Sequence, residues 1–180
     1  MEDHDLIQTL NKLKGPTPEQ IIFHNQWAAV AFDRFHTNSQ AVLNLSIDGS
    51  ERQINLKWDS NFQKSAMREV KNMADHGGVA LAWFIMSVIL DFGYVQQSEI
   101  GEGVDYRFRK LEPDDDDLNF LDDYHHVEIS GILEEKGTNT LNRRIKEKHS
   151  QIQRGTRGHF PSSVLVTLFE QPRIVKEIHN

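Results

Sequence analysis

Apolar and polar residues alternate on both sides of an Asp-Gly-Ser turn in the segment AVLNLSIDGSERQINLKW. The apolar positions recur with a period of two, at Leu43, Leu45, Ile47, Ile54, Leu56 and Trp58. A turn of this composition between two alternating runs is a strong signal for a hairpin. The pattern therefore predicts a β-hairpin over residues 41–58.

Helical signals precede the hairpin. Residues 3–13 are typical of a short helix that ends at the KGPTP segment. In the TPEQ segment, Thr17 can cap a second helix, Pro18 suits its first turn, and Gln20 can complete a capping box. We therefore expect this second helix to extend to about Phe35.

The region after the hairpin predicts a helix interrupted by glycine. Asp59 or Ser60 can cap a helix over residues 61–74. Gly77-Gly78 is expected to break or kink that helix. Val79–Leu90 is apolar at most positions, which is typical of a buried helix, and it is too short to span a bilayer.

The second half of the chain alternates between strand and helix patterns. The pattern predicts strands at residues 103–110 and 124–133 and a helix at 139–153. A further segment, 162–172, is apolar on both faces, as in a central strand. With the preceding helix, the order is α-β-β-α-β, which is typical of an α/β domain with a mixed sheet. We expect the first two strands to be adjacent and antiparallel, because a short connection joins them, and the third to lie elsewhere in the same sheet.

Length and composition are those of one globular domain. The 180 residues are 38% hydrophobic and 26% charged and include no cysteine, which excludes disulfides and thiolate metal sites. The N-terminus lacks the basic and apolar regions of a signal peptide, so we expect a cytoplasmic protein with no membrane association. Residues 1–60 are expected to pack as helices and a hairpin on a core formed by residues 61–180.

Charge is unevenly distributed along the chain. The net charge of −7 argues against a general nucleic-acid binder. Acidic residues concentrate at 112–123, and the region that follows is basic. Its basic residues are Lys136, Arg143, Arg144, Lys146, Lys148, Arg154 and Arg157. This region is compatible with phosphate contacts and equally with a solvated helix surface.

Two carboxylates are candidates for a metal site. Asp105 lies on the polar face of the first predicted strand of the second half, and Glu128 and Ser130 lie on the polar face of the next. If these faces align, Asp105 and Glu128 are neighbours, and adjacent carboxylates repel unless a cation lies between them. Their oxygens suit Mg²⁺ or Mn²⁺. The alternative is that both side chains are exposed on a half-solvated sheet.

A lysine interrupts the apolar face of the predicted helix at 139–153. That face consists of Leu141, Ile145 and Ile152. Lys148 falls on the same face, and Arg144 and Gln151 lie on its flank. Burial of an unpaired ammonium group is costly, so Lys148 either extends past the core to water or meets a buried carboxylate. In the second case, it would face Asp105 and Glu128.

The strings GVDYRF, HVEIS and RRIKEKHSQ occur in this order within an α-β-β-α-β pattern that covers residues 61–172. This arrangement resembles the PD-(D/E)XK (restriction-endonuclease-like) nuclease superfamily, and it is also similar to uncharacterised bacterial proteins. The resemblance implies a restriction-endonuclease-like αββαβ core, which the N-terminal helices and hairpin extend.

The resemblance also implies roles for individual residues. Asp105 would be the metal-binding aspartate, and Glu128 the second metal ligand. Gln151 would be the glutamine that the family carries on the following helix. Glu69 is the candidate for the family's first acidic residue. The implied cofactor is Mg²⁺ or Mn²⁺.

One position departs from the family pattern. Ser130 stands where the family has a lysine that orients or helps to deprotonate the attacking water, and Lys148 could supply that charge from the helix. The implied function is metal-dependent cleavage of phosphodiester bonds in nucleic acid, with Arg143 and Arg144 as substrate contacts. The alternative is a catalytically inactive member of the same fold that binds a protein partner or forms a homodimer.

Overall fold

The computed structural model describes residues 1–112, 124–155 and 160–179 of the chain. The acidic stretch after Glu112 and the basic residue Arg157 lie outside the described residues. Within them the protein is a mixed α/β structure, as the sequence predicts. Its α-helices are α1 (Thr9–Lys12), α2 (Pro18–Asp33), α3 (Val70–Phe84) and α4 (Leu141–Arg154). Its strands are β1 (Glu2–Asp5), β2 (Gln40–Ile47), β3 (Ser50–Lys57), β4 (Tyr94–Gln97), β5 (Tyr106–Arg109), β6 (His125–Ile132), β7 (Ser162–Leu168) and β8 (Arg173–His179).

All eight described strands belong to one mixed sheet, in the order β1-β3-β2-β8-β7-β6-β5-β4. The predicted hairpin is confirmed as β2–β3, and β2 pairs in parallel with β8, so the hairpin extends the sheet. The predicted antiparallel pairing of the strands at 103–110 and 124–133 is confirmed by β5 and β6. β7 lies beside β6 in parallel, with α4 as the connection between them.

The sheet separates two apolar layers. Helices α2 and α3 pack together on one face, and α4 packs on β6 and β7 from the other. The larger core includes Trp27, Phe32, Leu81, Phe84, Val127, Ile129 and Leu165. The smaller core, under α4, includes Leu141, Ile145, Ile152, Val164 and Val166. The apolar face that the sequence predicts for α4 is therefore buried.

The glycine pair does not break α3, which corrects the prediction. The helix runs continuously through Gly77-Gly78 and then widens into a π-helical turn at Ile85–Ile89. A Cβ added to Gly78 would lie 2.9 Å from the backbone nitrogen of Gly131 on β6, and one added to Gly131 would lie 1.9 Å from the carbonyl oxygen of Ala74. The glycines are needed because α3 and β6 approach backbone to backbone.

The helix predicted at 61–74 is also wrong at its start. Residues 61–69 are irregular, and Glu69 caps α3 by accepting the backbone N–H of Lys71 at 3.0 Å. Tertiary hydrogen bonds hold the preceding segment instead: Asp33 on α2 accepts from Ser60 Oγ at 2.8 Å and from Lys64 Nζ at 2.5 Å. These long-range partners are invisible to a local capping pattern.

At the N-terminus, one prediction is confirmed and one is corrected. The capping box of α2 is present, with Gln20 N–H donating to Thr17 Oγ1 at 3.3 Å and Thr17 N–H donating to Gln20 Oε1 at 2.8 Å. The helix predicted over 3–13 divides into β1, a 3₁₀ turn at Leu6–Gln8 and the short α1. β1 forms because its backbone pairs in parallel with β3, a contact that depends on the tertiary structure.

Candidate functional site

Asp105 and Glu128 lie side by side where β5 and β6 diverge. In the ladder between these strands, Tyr106 pairs with Val127 and Arg107 with His126. Asp105 immediately precedes β5 and ends the ladder by donating its N–H to the Val127 carbonyl at 3.1 Å. Its Oδ2 atom then accepts the N–H of Ile129 at 2.7 Å. The carboxylate of Asp105 thus accepts a backbone N–H of β6 that a carbonyl oxygen of a neighbouring strand would otherwise accept. This bond holds Asp105 next to Glu128.

Lys148 reaches this carboxylate pair from α4. Thr140 caps the helix, and the buried apolar face turns Lys148 toward β6. Its Nζ atom lies 2.5 Å from Glu128 Oε1 and 3.3 Å from Gln151 Oε1. Of the two sequence-based alternatives for Lys148, the structure therefore favours contact with a buried carboxylate.

Burial dominates the electrostatics of the pair. Glu128 is completely buried, and its pKa rises from 4.5 to about 7 because of desolvation and the charge of Asp105, against the attraction of Lys148. Burial also raises the pKa of Asp105, against its hydrogen bond from Ile129 and the charge of Lys148. Glu128 Oε2 is buried and has no hydrogen-bond partner among the described residues. The carboxyl of Asp105 is nevertheless close enough to contribute a hydrogen bond to the electrostatics of Glu128, so the two buried carboxyls are placed to share a proton or a cation.

A cavity of about 760 Å³ opens beside the pair, and residues of α2, α3, β4, β5, β6 and α4 line it. Asp105, Ser130, Arg144 and Lys148 contribute to its lining, so the structure brings four of the predicted site residues to one place. Gln151 does not line this cavity, but its Oε1 atom contacts Lys148 Nζ at 3.3 Å.

Asp75 is a site residue that the sequence analysis missed. It lines the cavity from α3, and its negative charge contributes to the raised pKa of Asp105. Glu69, the residue chosen from the sequence for the acidic position on this helix, caps the N-terminus of α3 and does not line the cavity. A usable signal was present, because Asp75 comes just before Gly77-Gly78, where small residues let α3 approach β6 closely.

The two arginines predicted as substrate contacts separate in the structure. Arg144 lines the cavity, and its guanidinium donates outside it to Asn139 Oδ1 at 2.8 Å and lies 3.8 Å from Glu147 Oε2. Arg143 bonds to Glu147 through Nε at 2.8 Å and does not line the cavity. The basic surface of α4 is therefore divided between the cavity and solvent.

The metal-ligand set at this site is small. Among residues 1–112, 124–155 and 160–179, no cluster of three or more His, Cys, Asp or Glu side chains has the geometry to hold a metal ion. A carboxylate pair nevertheless fits Mg²⁺, which commonly binds through one or two carboxylates and keeps several of its waters. The unpaired Glu128 Oε2 is the structural observation that supports this fit.

In the described part of the chain, every helix is too short or too polar to cross a membrane. Comparison with protein-family models, with curated proteins and with solved structures yields no match to this chain.

Proposed function

We propose that this protein is a metal-dependent nuclease that hydrolyses phosphodiester bonds at the cavity next to Asp105 and Glu128. The observation that carries the proposal is the contact between Lys148 and Glu128. A cationic side chain from the helix reaches a buried carboxylate pair beside a cavity of about 760 Å³. A carboxylate pair that can hold a divalent metal, a cation that stabilises negative charge and an adjoining space are components of metal-dependent phosphodiester hydrolysis.

The arrangement of elements around the site supports a restriction-endonuclease-like core. α3 is followed by the antiparallel strands β4, β5 and β6, and α4 then connects β6 to the parallel strand β7. The candidate residues come from the start of β5, from β6 and from α4, the same elements that the sequence resemblance implies. In this proposal β1, β2, β3 and the helices α1 and α2 are additions to that core.

In this function, Asp105 and Glu128 would hold Mg²⁺ or Mn²⁺. Such a metal, when bound, polarises the phosphate and lowers the pKa of a coordinated water. Ile129 N–H fixes the orientation of the Asp105 carboxylate through its 2.7 Å hydrogen bond. Glu128 supplies the second ligand when it is deprotonated, which its raised pKa confines to neutral and higher pH.

Lys148 would replace the lysine that the family carries on the strand. Its ammonium group stabilises negative charge that develops at the phosphate, and Gln151 holds it in place through the 3.3 Å contact. Ser130 lines the same cavity and can hydrogen-bond a water molecule, although it brings no positive charge. Arg144 is positioned to bind a neighbouring phosphate.

One observation favours a second candidate function. The bond between Lys148 and Glu128 already compensates one charge of the carboxylate pair without a metal. A protein that kept this pair for structural reasons would be an inactive binding scaffold, with α4 as its partner-facing surface. The two functions differ in whether the folded protein cleaves nucleic acid.

The test is a cleavage assay on single- and double-stranded DNA and RNA with Mg²⁺ or Mn²⁺. We expect wild-type cleavage, and we expect Lys148→Met to lower the rate by roughly a hundredfold or more, because charge stabilisation at the phosphate is lost. Lys146→Met is the matched control, since Lys146 is an exposed lysine of the same helix that does not line the cavity. A folded wild-type protein that cleaves none of the four substrates would refute the nuclease and favour the scaffold.

A further inference from the structure

The cavity at the candidate site has an aromatic wall. Its rings belong to His24, His76, Trp83, Tyr94 and Tyr106. They come from α2, α3, β4 and β5, and several pack edge to face: the centroids of His24 and Trp83 are 4.8 Å apart, and those of Trp83 and Tyr106 are 5.6 Å apart. Hydrolysis of a phosphodiester does not require such a wall.

Two rings of this wall carry polar atoms. His24 Nδ1 lies 3.2 Å from the carbonyl oxygen of His76, and burial lowers the pKa of His24 to about 4, so its ring is neutral at pH 7. The nitrogen that faces the carbonyl must donate, which leaves Nε2 as an acceptor. Trp83 is only 3% exposed, and its Nε1–H has no acceptor among the described residues. Because Trp83 Nε1 is buried, the wall offers a nucleobase aromatic surface rather than a hydrogen-bonding pattern.

A second hollow continues from the first. It has a volume of about 530 Å³ and shares Gln97 and Asp105 with the larger cavity. Gln151 and Arg154 line it near the C-terminal end of α4. The two hollows therefore meet at the candidate metal ligand, and a chain passing from one to the other crosses Asp105.

The charge along this path is modest. Arg144 and Lys148 line the first hollow beside Asp75 and Asp105, and Arg154 lines the second beside Glu99, within a protein whose net charge is −7. Duplex binding depends mainly on many phosphate contacts over a basic surface. Binding of single strands combines fewer such contacts with stacking of bases on aromatic rings. In a duplex the bases are stacked and paired, so they cannot use the aromatic wall.

We propose that the site binds an unpaired nucleic-acid strand, an inference that rests on the proposed function. One base stacks on the wall at His76 and Tyr94, and the adjoining backbone crosses Asp105 toward Arg154. The cavity volume of about 760 Å³ is within the usual range for sites that enclose a ligand of this size.

The test is fluorescence anisotropy with labelled single-stranded DNA, single-stranded RNA and a duplex of equal length, in EDTA so that binding is not followed by cleavage. We expect tighter binding of at least one single strand than of the duplex. His76→Ala and Tyr94→Ala should each weaken single-strand binding by about 5- to 100-fold, whereas His76→Phe and Tyr94→Phe should retain it because they keep a ring. His149→Ala is the control, since His149 lies on α4 and lines neither hollow.

The outcomes separate this inference from the proposed function. Equal affinity for the duplex, or unchanged single-strand binding by folded His76→Ala and Tyr94→Ala proteins, would overturn the inference even if the enzyme cleaves DNA. Ring-dependent binding of a single strand without cleavage in Mg²⁺ would support the inference and refute the nuclease. The relative affinities for the two single strands identify the preferred sugar.

Discussion

The raised pKa of Glu128 predicts an unusual dependence of stability on pH, which Glu128→Gln should remove. The ordinary pKa of a glutamate side chain is 4.5, and that of Glu128 in the folded protein is about 7. Between these values the unfolded chain loses the Glu128 proton while the folded protein keeps it, so folding stability falls as pH rises from 4.5 to 7. Above pH 7 the loss is complete and stays constant.

The expected size of this loss follows from the pKa difference. At about 1.4 kcal/mol per pH unit, the change from 4.5 to about 7 corresponds to roughly 3 kcal/mol. Glutamine cannot ionise and still offers Lys148 an oxygen acceptor. The stability of Glu128→Gln relative to the wild type should therefore increase by roughly 3 kcal/mol across this interval.

The measurement is urea denaturation of both proteins at several pH values from 4 to 8, with tryptophan fluorescence as the signal. Glu147→Gln is the matched control, because Glu147 is an exposed glutamate on α4 whose pKa is lowered by a hydrogen bond from Arg143. Because this pKa lies below 4.5, the stability of Glu147→Gln relative to the wild type should stay nearly constant from pH 5 to 8, and any change near pH 4 should have the opposite sign. A constant difference between Glu128→Gln and the wild type over the whole range would refute the electrostatic description of the site.

Three further predictions test the metal, the packing and a cap. In thermal denaturation scans, Mg²⁺ should raise the Tm of the wild type at pH 8. The increase should be smaller below pH 7, because protons compete with the metal for Glu128, and Glu128→Gln should abolish it. Gly131→Ala should cost about 1–3 kcal/mol or more in urea denaturation, since its Cβ would lie 1.9 Å from Ala74 O; unchanged stability would contradict the close packing of α3 on β6. Thr17→Ala should cost about 1 kcal/mol by the same method, whereas Thr17→Ser should be nearly neutral if the capping bond is responsible.

Local patterns predicted the elements whose formation depends on near neighbours in sequence. The β2–β3 hairpin follows from alternation around one turn, and the start of α2 follows from bonds between Thr17 and Gln20, three residues apart. The position of Lys148 on the apolar face of α4 also follows from helical periodicity alone. These features need only the geometry of a single helix or hairpin.

Of the strands that the sequence analysis missed, β1 forms only through long-range pairing with β3. β4 has only four residues and pairs antiparallel with its chain neighbour β5. β8 pairs antiparallel with its chain neighbour β7 and in parallel with the distant strand β2. The wrong prediction of a helix break at Gly77-Gly78 also has a long-range cause. Two glycines in a helix predict a break when only the helix is considered, but they permit contact with Gly131 once β6 is in place.

For the candidate site, the sequence by itself determined which residues of β6 and α4 share a face, and hence that Glu128 and Lys148 were able to meet. Only the tertiary structure decided that they do meet, that Asp75 rather than Glu69 lines the cavity, and that Glu128 has a pKa of about 7. The physical reason is that periodicity is a property of one element. Buried side chains, close charges and a cavity arise only when elements that are distant in the sequence pack together and exclude water.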